Sequence, residues 1–281
     1  MKLIKKVFGV FKFSLKLNQI SSYSDDKLET QFRKKTHSVE NSNKEKTFNF
    51  DSTMMARALF VEAKKRDIIS KSEIDWAENI LFGKPRQTSE ISSYNREDTE
   101  KGLLQIVRTR RSVRRWTNGK ISEDDFKFMI DSARWAPSSC NRQAWHFIVT
   151  QDKDNIDLLY QARKQNIIKN APYCILVTMN TEAYQYKTEE MIQYYMLQDA
   201  AAAIQNLLLA AHSLSLGACW VNLAANNVTE ESKDKIRKRF EIPLHFELIT
   251  LILIGKTDAL PAPPGRKDIE DILHFEKFKS L

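Results

Sequence analysis

Between Met191 and Leu216 the chain carries apolar residues at helical spacing on more than one face, and this stretch limits the available folds more than any other. Leu197, Ala201, Ile204, Leu208, Ala211 and Leu214 recur at intervals of three and four, the period of one helix face. Ala200 to Ala203 and Leu207 to Leu209 add apolar surface on the other faces, so the expected helix is buried nearly all round. Such a helix needs a shell of other elements, which makes it the central core helix of a domain.

The shell is legible around it. Trp145 to Thr150, Tyr173 to Met179 and Glu247 to Gly255 are short β-branched and aromatic runs of strand length. Ser122 caps an expected helix with Glu123, Asp124 and Asp125 in its first turn, where carboxylates favour the positive end of the helix dipole. Phe126, Met129, Ile130 and Ala133 form its apolar stripe, and Pro137 stops it. Thr99 is placed to cap a helix carrying Leu103, Leu104, Ile106 and Val107, and a last helix runs from Thr229 to Phe240 ahead of Pro243. The tail after Gly255 is rich in proline, and no repeat of solenoid period occurs.

Upstream, periodicity predicts a helix from Ser52 to about Arg66 and a second from Ser72 to Leu81, with Ser72 as N-cap and Gly83-Lys84-Pro85 as terminator. A polar loop then runs to about Asp98, and residues 21 to 50, rich in Ser, Asn and Lys, read as a linker. Residues 1–98 are thus expected to be a mainly helical extension in front of a domain over residues 99–281. The first twenty residues combine Lys2, Lys5, Lys6, Lys12 and Lys16 with Phe8, Val10, Phe11, Phe13, Leu15 and Leu17. Three readings stay open there: a basic amphipathic helix lying on an anionic membrane, an ordinary helix packed on the domain, or a frayed solvated terminus.

Composition removes several function classes. At 281 residues, 42% hydrophobic and 28% charged, the chain is neither a disordered polyelectrolyte nor a membrane bundle, and no apolar run reaches the roughly 18 to 20 residues of a bilayer span. A net charge of +8 favours anionic partners. Cys140, Cys174 and Cys219 form no C-x-x-C pair, which fits a reducing cytoplasm. Asn227-Val228-Thr229 matches a glycosylation triplet, which matters only in a secreted chain. The seven glycines never stand one residue apart, so neither a Rossmann nor a Walker loop is available and a phosphate must be held by side chains. His37, His146, His212, His245 and His274 have no metal-ligand spacing, no metal is expected, and G-x-S-x-G is absent.

Two segments remain that carry chemistry. Arg110-Arg111-Ser112-Val113-Arg114-Arg115-Trp116 offers guanidinium forks and a hydroxyl, a donor set suited to a terminal phosphate monoester and equally to a nucleic-acid patch or a solvated basic face. Pro137-Ser138-Ser139-Cys140-Asn141-Arg142-Gln143 is a polar loop between a helix and a strand. Its Asn and Gln can both donate and accept, as the imide edge of a flavin or nucleobase requires.

Together the boxes R-R-S-x-R, A-P-S-S-x-N-x-Q-x-W-x-F, and Gln198-Asp199 through Ala211 followed by Leu216-Gly217-Ala218-Cys219-Trp220 resemble the FMN-dependent nitroreductase family, in order, from Thr99 to the end. The resemblance implies an α+β fold: a central mixed, mainly antiparallel sheet flanked by helices, a long buried core helix, and a homodimer with FMN at its interface. It implies that Arg110, Arg111 and Ser112 hold the FMN phosphate with Arg266, and that Arg114 lies near the pyrimidine side of the ring as the catalytic, electrostatic participant. Pro137, Ser138, Ser139, Asn141 and Gln143 would reach the flavin from the other subunit, and backbone groups of Val221, Asn222 and Leu223 would face the reactive ring nitrogen.

The implied activity is transfer of electrons from NADH or NADPH through FMN to a small oxidised acceptor: a nitro compound, a quinone or a biosynthetic intermediate. Two alternatives stand beside it: a flavin-dependent dehydrogenase or flavin-modifying enzyme on the same scaffold, and an inactive basic module that binds nucleic acid or a membrane surface. The usual Gln-Pro-Trp is Gln143-Ala144-Trp145 here, and Asn222-Leu223-Ala224-Ala225 stands where many relatives carry glycine near the flavin, which changes the expected pocket shape.

Overall fold

The three β-branched runs form strands, and a fourth strand joins them. A computed structural model of the chain describes residues 13–44, 50–83, 96–223 and 228–278. In chain order its elements are α1 (residues 13–20), α2 (Asp25–Lys44), α3 (Phe50–Lys65), α4 (Lys71–Phe82), α5 (Arg96–Thr109), α6 (Glu123–Arg134), β1 (Trp145–Thr150), α7 (Lys153–Arg163), α8 (Asn166–Lys169), β2 (Tyr173–Asn180), α9 (Glu189–Ser213), β3 (Leu216–Asn222), α10 (Glu230–Phe240) and β4 (Phe246–Lys256).

The sheet has the order β1-β2-β4-β3, with every pairing between these strands antiparallel. A parallel bridge between Ser112 and Ala218 lies on the outer edge of β3 and supplies the mixed character. Strand β2 is buried on both faces, so it reads as a continuous apolar run instead of an alternating one. Ile175, Val177 and Met179 face one core with Ile252 and Ile254, beneath α6 and α9. Cys174, Leu176, Leu251 and Leu253 face the other, against α7, α8 and α10. Truncating a fully buried member such as Leu207 to Ala would cost about 2–5 kcal/mol.

Several sequence expectations need correction. The strand Leu216–Asn222 lies where the core helix was extended to Leu216; α9 ends at Ser213 because Ser215 adopts φ 58°, which a helix cannot continue through. Helix α9 is not buried all round: Tyr194 and Leu197 are exposed, at 63% and 45%, and Ala201 is exposed with them. Helix α4 is capped by Ser70, two residues before the expected Ser72, and Ser70 completes a capping box with Glu73. Helix α5 starts at Arg96, ahead of Thr99. Most of the polar loop expected up to Asp98, together with Ala224-Ala225 and Asn227 of the triplet, falls outside the described residues.

The largest correction concerns residues 21 to 50. Most of this stretch is α2, whose Leu28 and Phe32 are fully buried and whose Val39 lies on the same side two turns on. Four helices close a third apolar core from Ile20, Leu28, Phe32, Leu59, Phe60, Ala77 and Leu81. Phe13 and Leu17 of α1 pack on that core while Leu15 is exposed; residues 1–12 are outside the described residues. No helix among the described residues is long and apolar enough to cross a membrane. Helix α2 packs against the turns Ser139–Asn141 and Thr181–Ala183, and Asp26 Oδ2 meets His245 Nε2 at 3.2 Å.

Candidate active site

Two glycines seat the arginine segment. Gly217 and Gly255 are opposed across β3 and β4, and a Cβ on Gly217 would come within 2.6 Å of Val113, one on Gly255 within 2.9 Å of Trp116. Only bare backbone admits the segment so close. Val113 then donates its amide to Ala218 O at 2.9 Å, and Trp116 Nε1 donates to Gly217 O at 2.8 Å, which fixes Arg110–Arg115 along the edge of β3.

Arg111 donates through Nη1 to the carbonyls of Arg108 and Arg110, at 2.6 and 2.7 Å, while its Nε is buried without a partner. An orphaned buried guanidinium N–H is costly, and an anionic oxygen is the group that would satisfy it. His212, near the end of α9, accepts or donates at 2.8 Å to Thr109 Oγ1, and burial together with Arg110 and Arg111 holds its imidazole below the usual value. Arg114 is exposed, with one long 3.4 Å bond to Ser112 O. Positive charge thus gathers around Ser112 with few counter-charges.

The second segment is a strained loop. Cys140, Asn141 and Gln143 have φ of 53°, 54° and 51°, a left-handed region that costs side-chain-bearing residues of order 1 kcal/mol or more each. Gln143 N donates to Ser138 Oγ at 3.1 Å, and Gln143 Nε2 to Asn141 Oδ1 at 3.3 Å. Ser139 is held at every polar atom: its amide donates to Asp199 Oδ1 at 2.9 Å, its carbonyl accepts from Arg142 Nη1 at 2.6 Å, and its hydroxyl meets Arg142 Nη1 and Tyr186 OH at 2.8 and 2.7 Å. Asp199 also accepts from Tyr184 OH at 2.8 Å; burial raises both groups above their usual values, and Arg142 opposes the rise. Pro137, Ser138 and Ser139 line an open cleft of about 380 Å³ with Tyr195, Gln198, Asp199 and Ala202.

Within one chain the two segments do not meet. One is anchored at His212 and the other at Asp199, roughly 20 Å apart along α9 at about 1.5 Å per residue. Exposed apolar side chains flank them: Leu103, Leu104 and Val107 on α5, and Tyr194 and Leu197 on α9 in the turns just before Asp199. Arg266 is likewise not brought to Ser112: it sits in an exposed tail, donating to its own Pro264 and Gly265 carbonyls, with Ile269, Phe275 and Phe278 exposed beyond it.

The third expected part is built from the end of β3. Val221 and Leu223 are buried, and Asn222 between them is exposed. Their backbone is partly engaged: Val221 O accepts from Thr250 Oγ1 at 2.6 Å, Asn222 O from Arg163 Nε at 2.8 Å, and Leu223 N donates to Ile249 O at 3.1 Å.

Sequence reasoning gave no role to Arg142, Asp199, Tyr184, Tyr186, Arg163 or His212. Arg142 and Asp199 stand inside the boxes themselves, yet a lone Arg in a polar loop carries no mark of burial. His212 lies one helical turn beyond Leu208 on the core stripe, a position that signals packing before chemistry.

Comparisons with known proteins bear on the family and the fold. The family model described as "Nitroreductase family" matches residues 107–164 and 156–256. Over 180 residues the chain is 32% identical to a protein of Methanothermobacter thermautotrophicus named as an NADH dehydrogenase/NAD(P)H nitroreductase, spanning 63% of this chain and 87% of that one. It resembles a nitroreductase crystal structure in complex with FMN from Desulfovibrio desulfuricans, at 28% identity and TM-score 0.53, over 63% of this chain and 98% of that one. An FMN-dependent nitroreductase from Clostridium difficile is similar at 26% identity and TM-score 0.52, over 62% and 99%.

Proposed function

Because the chain belongs to the nitroreductase family, we propose that it is an FMN-dependent oxidoreductase passing electrons from NADH or NADPH to a small oxidised molecule, as a homodimer that shares its flavin sites. The observation that carries this reading is the division of the site. A phosphate-suited segment and a polar loop lie roughly 20 Å apart on α9 of one chain, with an exposed apolar face alongside that a second copy would cover.

The redox chemistry supplied by bound FMN is uptake of hydride from the nicotinamide and delivery of its electrons to the acceptor. Arg110, Arg111 and Ser112 would grip the phosphate, with the unpartnered Nε of Arg111 as one donor. Arg114, exposed and weakly tied, is free to turn toward negative charge developing at the ring and stabilise it. The partner's loop would close over the ring with Pro137, Ser138 and Asn141, while Ser139 and Gln143 serve mainly by holding that loop in shape. Backbone groups of Val221 to Leu223 line the floor, and Arg266 would arrive with the tail of either chain.

The division into an extension over 1–98 and a flavin domain over 99–281 belongs to the same proposal, supported by the separate apolar core of α1 to α4. The test is anaerobic: NADH or NADPH should bleach the bound flavin, and a nitroaromatic or quinone should restore its colour. Bleaching without recovery by either acceptor class would leave the dehydrogenase alternative standing in its place.

A further inference from the structure

We propose that Arg142 is a positioning residue for the flavin: its buried guanidinium ties the Ser139–Asn141 turn to the Thr181–Ala183 turn beneath the N-terminal helix α2, and so holds the cofactor loop in its strained, binding-competent shape. The proposal rests on the flavin reading above.

Arg142 is 1% exposed, an extreme position for a permanently charged side chain. Nη1 donates to Ser139 O and Oγ at 2.6 and 2.8 Å, and Nε donates to Ala183 O at 2.9 Å, so one planar fork joins two turns. The cation lies 4.9 Å from the ring centroid of Tyr186 and 5.5 Å from that of Tyr184. Asp199 takes the amide of the same Ser139. A loop with three left-handed, side-chain-bearing residues persists only where its surroundings over-determine it, and these bonds are what does so.

The N-terminal extension completes the clamp. Helix α2 packs on both turns that Arg142 joins. Lys34 of α2 is held below the usual lysine value by burial, with the charge of Arg142 the next cause. The extension is therefore a support for the loop as well as an appendage.

Three full-length variants test this: Arg142→Met, Arg142→Lys and the milder Tyr186→Phe, which removes one bond to Ser139 and keeps the ring. Each is compared with wild type by FMN titration well below its melting point and by hydrogen exchange at the Ser139 amide. Arg142→Met should raise the FMN dissociation constant at least about tenfold and speed Ser139 exchange by a similar factor, with β2 and β4 amides unchanged. Arg142→Lys should fall between it and wild type, and Tyr186→Phe should weaken binding about threefold.

Faster exchange with unchanged FMN affinity would overturn the positioning role, and so would unchanged exchange in a folded Arg142→Met. A variant that melts early yet binds FMN normally when folded would reduce Arg142 to a purely structural residue. If wild type itself refuses FMN, the flavin reading fails, and the exchange result still decides whether Arg142 holds the loop.

Discussion

Ser139 donates its amide to Asp199 Oδ1 at 2.9 Å, which ties the polar loop to the middle of α9 while the arginine segment is tied to its end. In the proposed homodimer, a second copy would complete the divided site by bringing its loop to the first copy's arginines.

The exposed apolar side chains of α5 and of the first half of α9 should then belong to the dimer contact. Replacing Leu197, exposed on α9, with Asp places an unpaired carboxylate in that contact. Analytical ultracentrifugation should show a folded monomer, and flavin content should fall at least about tenfold, since affinity and assembly are linked.

Arg111→Ala removes the proposed phosphate donor, whose Nε has no partner among the described residues. A charge-assisted bond contributes about 1.5–3 kcal/mol, so FMN affinity should drop roughly ten- to a hundredfold. Riboflavin, which lacks the phosphate, should bind the variant and wild type alike in a fluorescence titration.

His212 reports on the same phosphate. Burial, then Arg110 and Arg111, disfavours its protonated form in the free protein. A phosphate dianion seated between those arginines reverses their effect, so the imidazole should titrate at higher pH with FMN bound than without. By linkage FMN should bind more tightly as pH falls through that range. Histidine resonances followed by NMR over a pH series, with FMN and with riboflavin, check this; riboflavin should leave His212 where it was.

Arg114→Ala should spare affinity and slow chemistry. The side chain is exposed and makes one long bond to Ser112 O, so the fold does not depend on it. Loss of its charge near the ring should make the bound flavin harder to reduce and lower the rate of reduction by NAD(P)H roughly tenfold or more. Stopped-flow reduction and redox titration give the two readouts.

Much of this was legible beforehand. The apolar periodicities of β1, β2, β4 and α9 come from residues buried on identifiable faces, and such patterns survive any surrounding sequence. Strand β3 was not legible, because Gly217 and a half-exposed Trp220 interrupt its apolar run and its function is to receive Val113. Helix α2 was hidden by polarity: Leu28 and Phe32 are one turn apart, but the Ser, Asn and Lys around them are the composition of a linker. The arginines of the site showed in the sequence as donors; that Arg142 is sealed inside the protein while Arg114 is open depends on α2 and on the distant turn Thr181–Ala183, which no local pattern encodes.

His146 makes stability depend on pH. The residue is exposed to solvent, so the effect on stability is small. Desolvation of its ring against Phe246, aided by Arg33 and His245 and opposed by Asp26, holds its pKa below the ordinary value of 6.5. The unfolded chain therefore binds its proton more readily, so folding stability rises with pH across the interval between the depressed value and the ordinary one. Below that interval the loss is complete. Urea unfolding midpoints should decline as pH is lowered through it, and His146→Gln should flatten that part of the profile.

The most direct measurement is made on the intact chain purified under native conditions: visible absorbance, identification of the released chromophore, and mass in solution. The account predicts a yellow homodimer releasing one FMN per chain and bleached by NADH or NADPH. A colourless monomer that takes up no added FMN would contradict it.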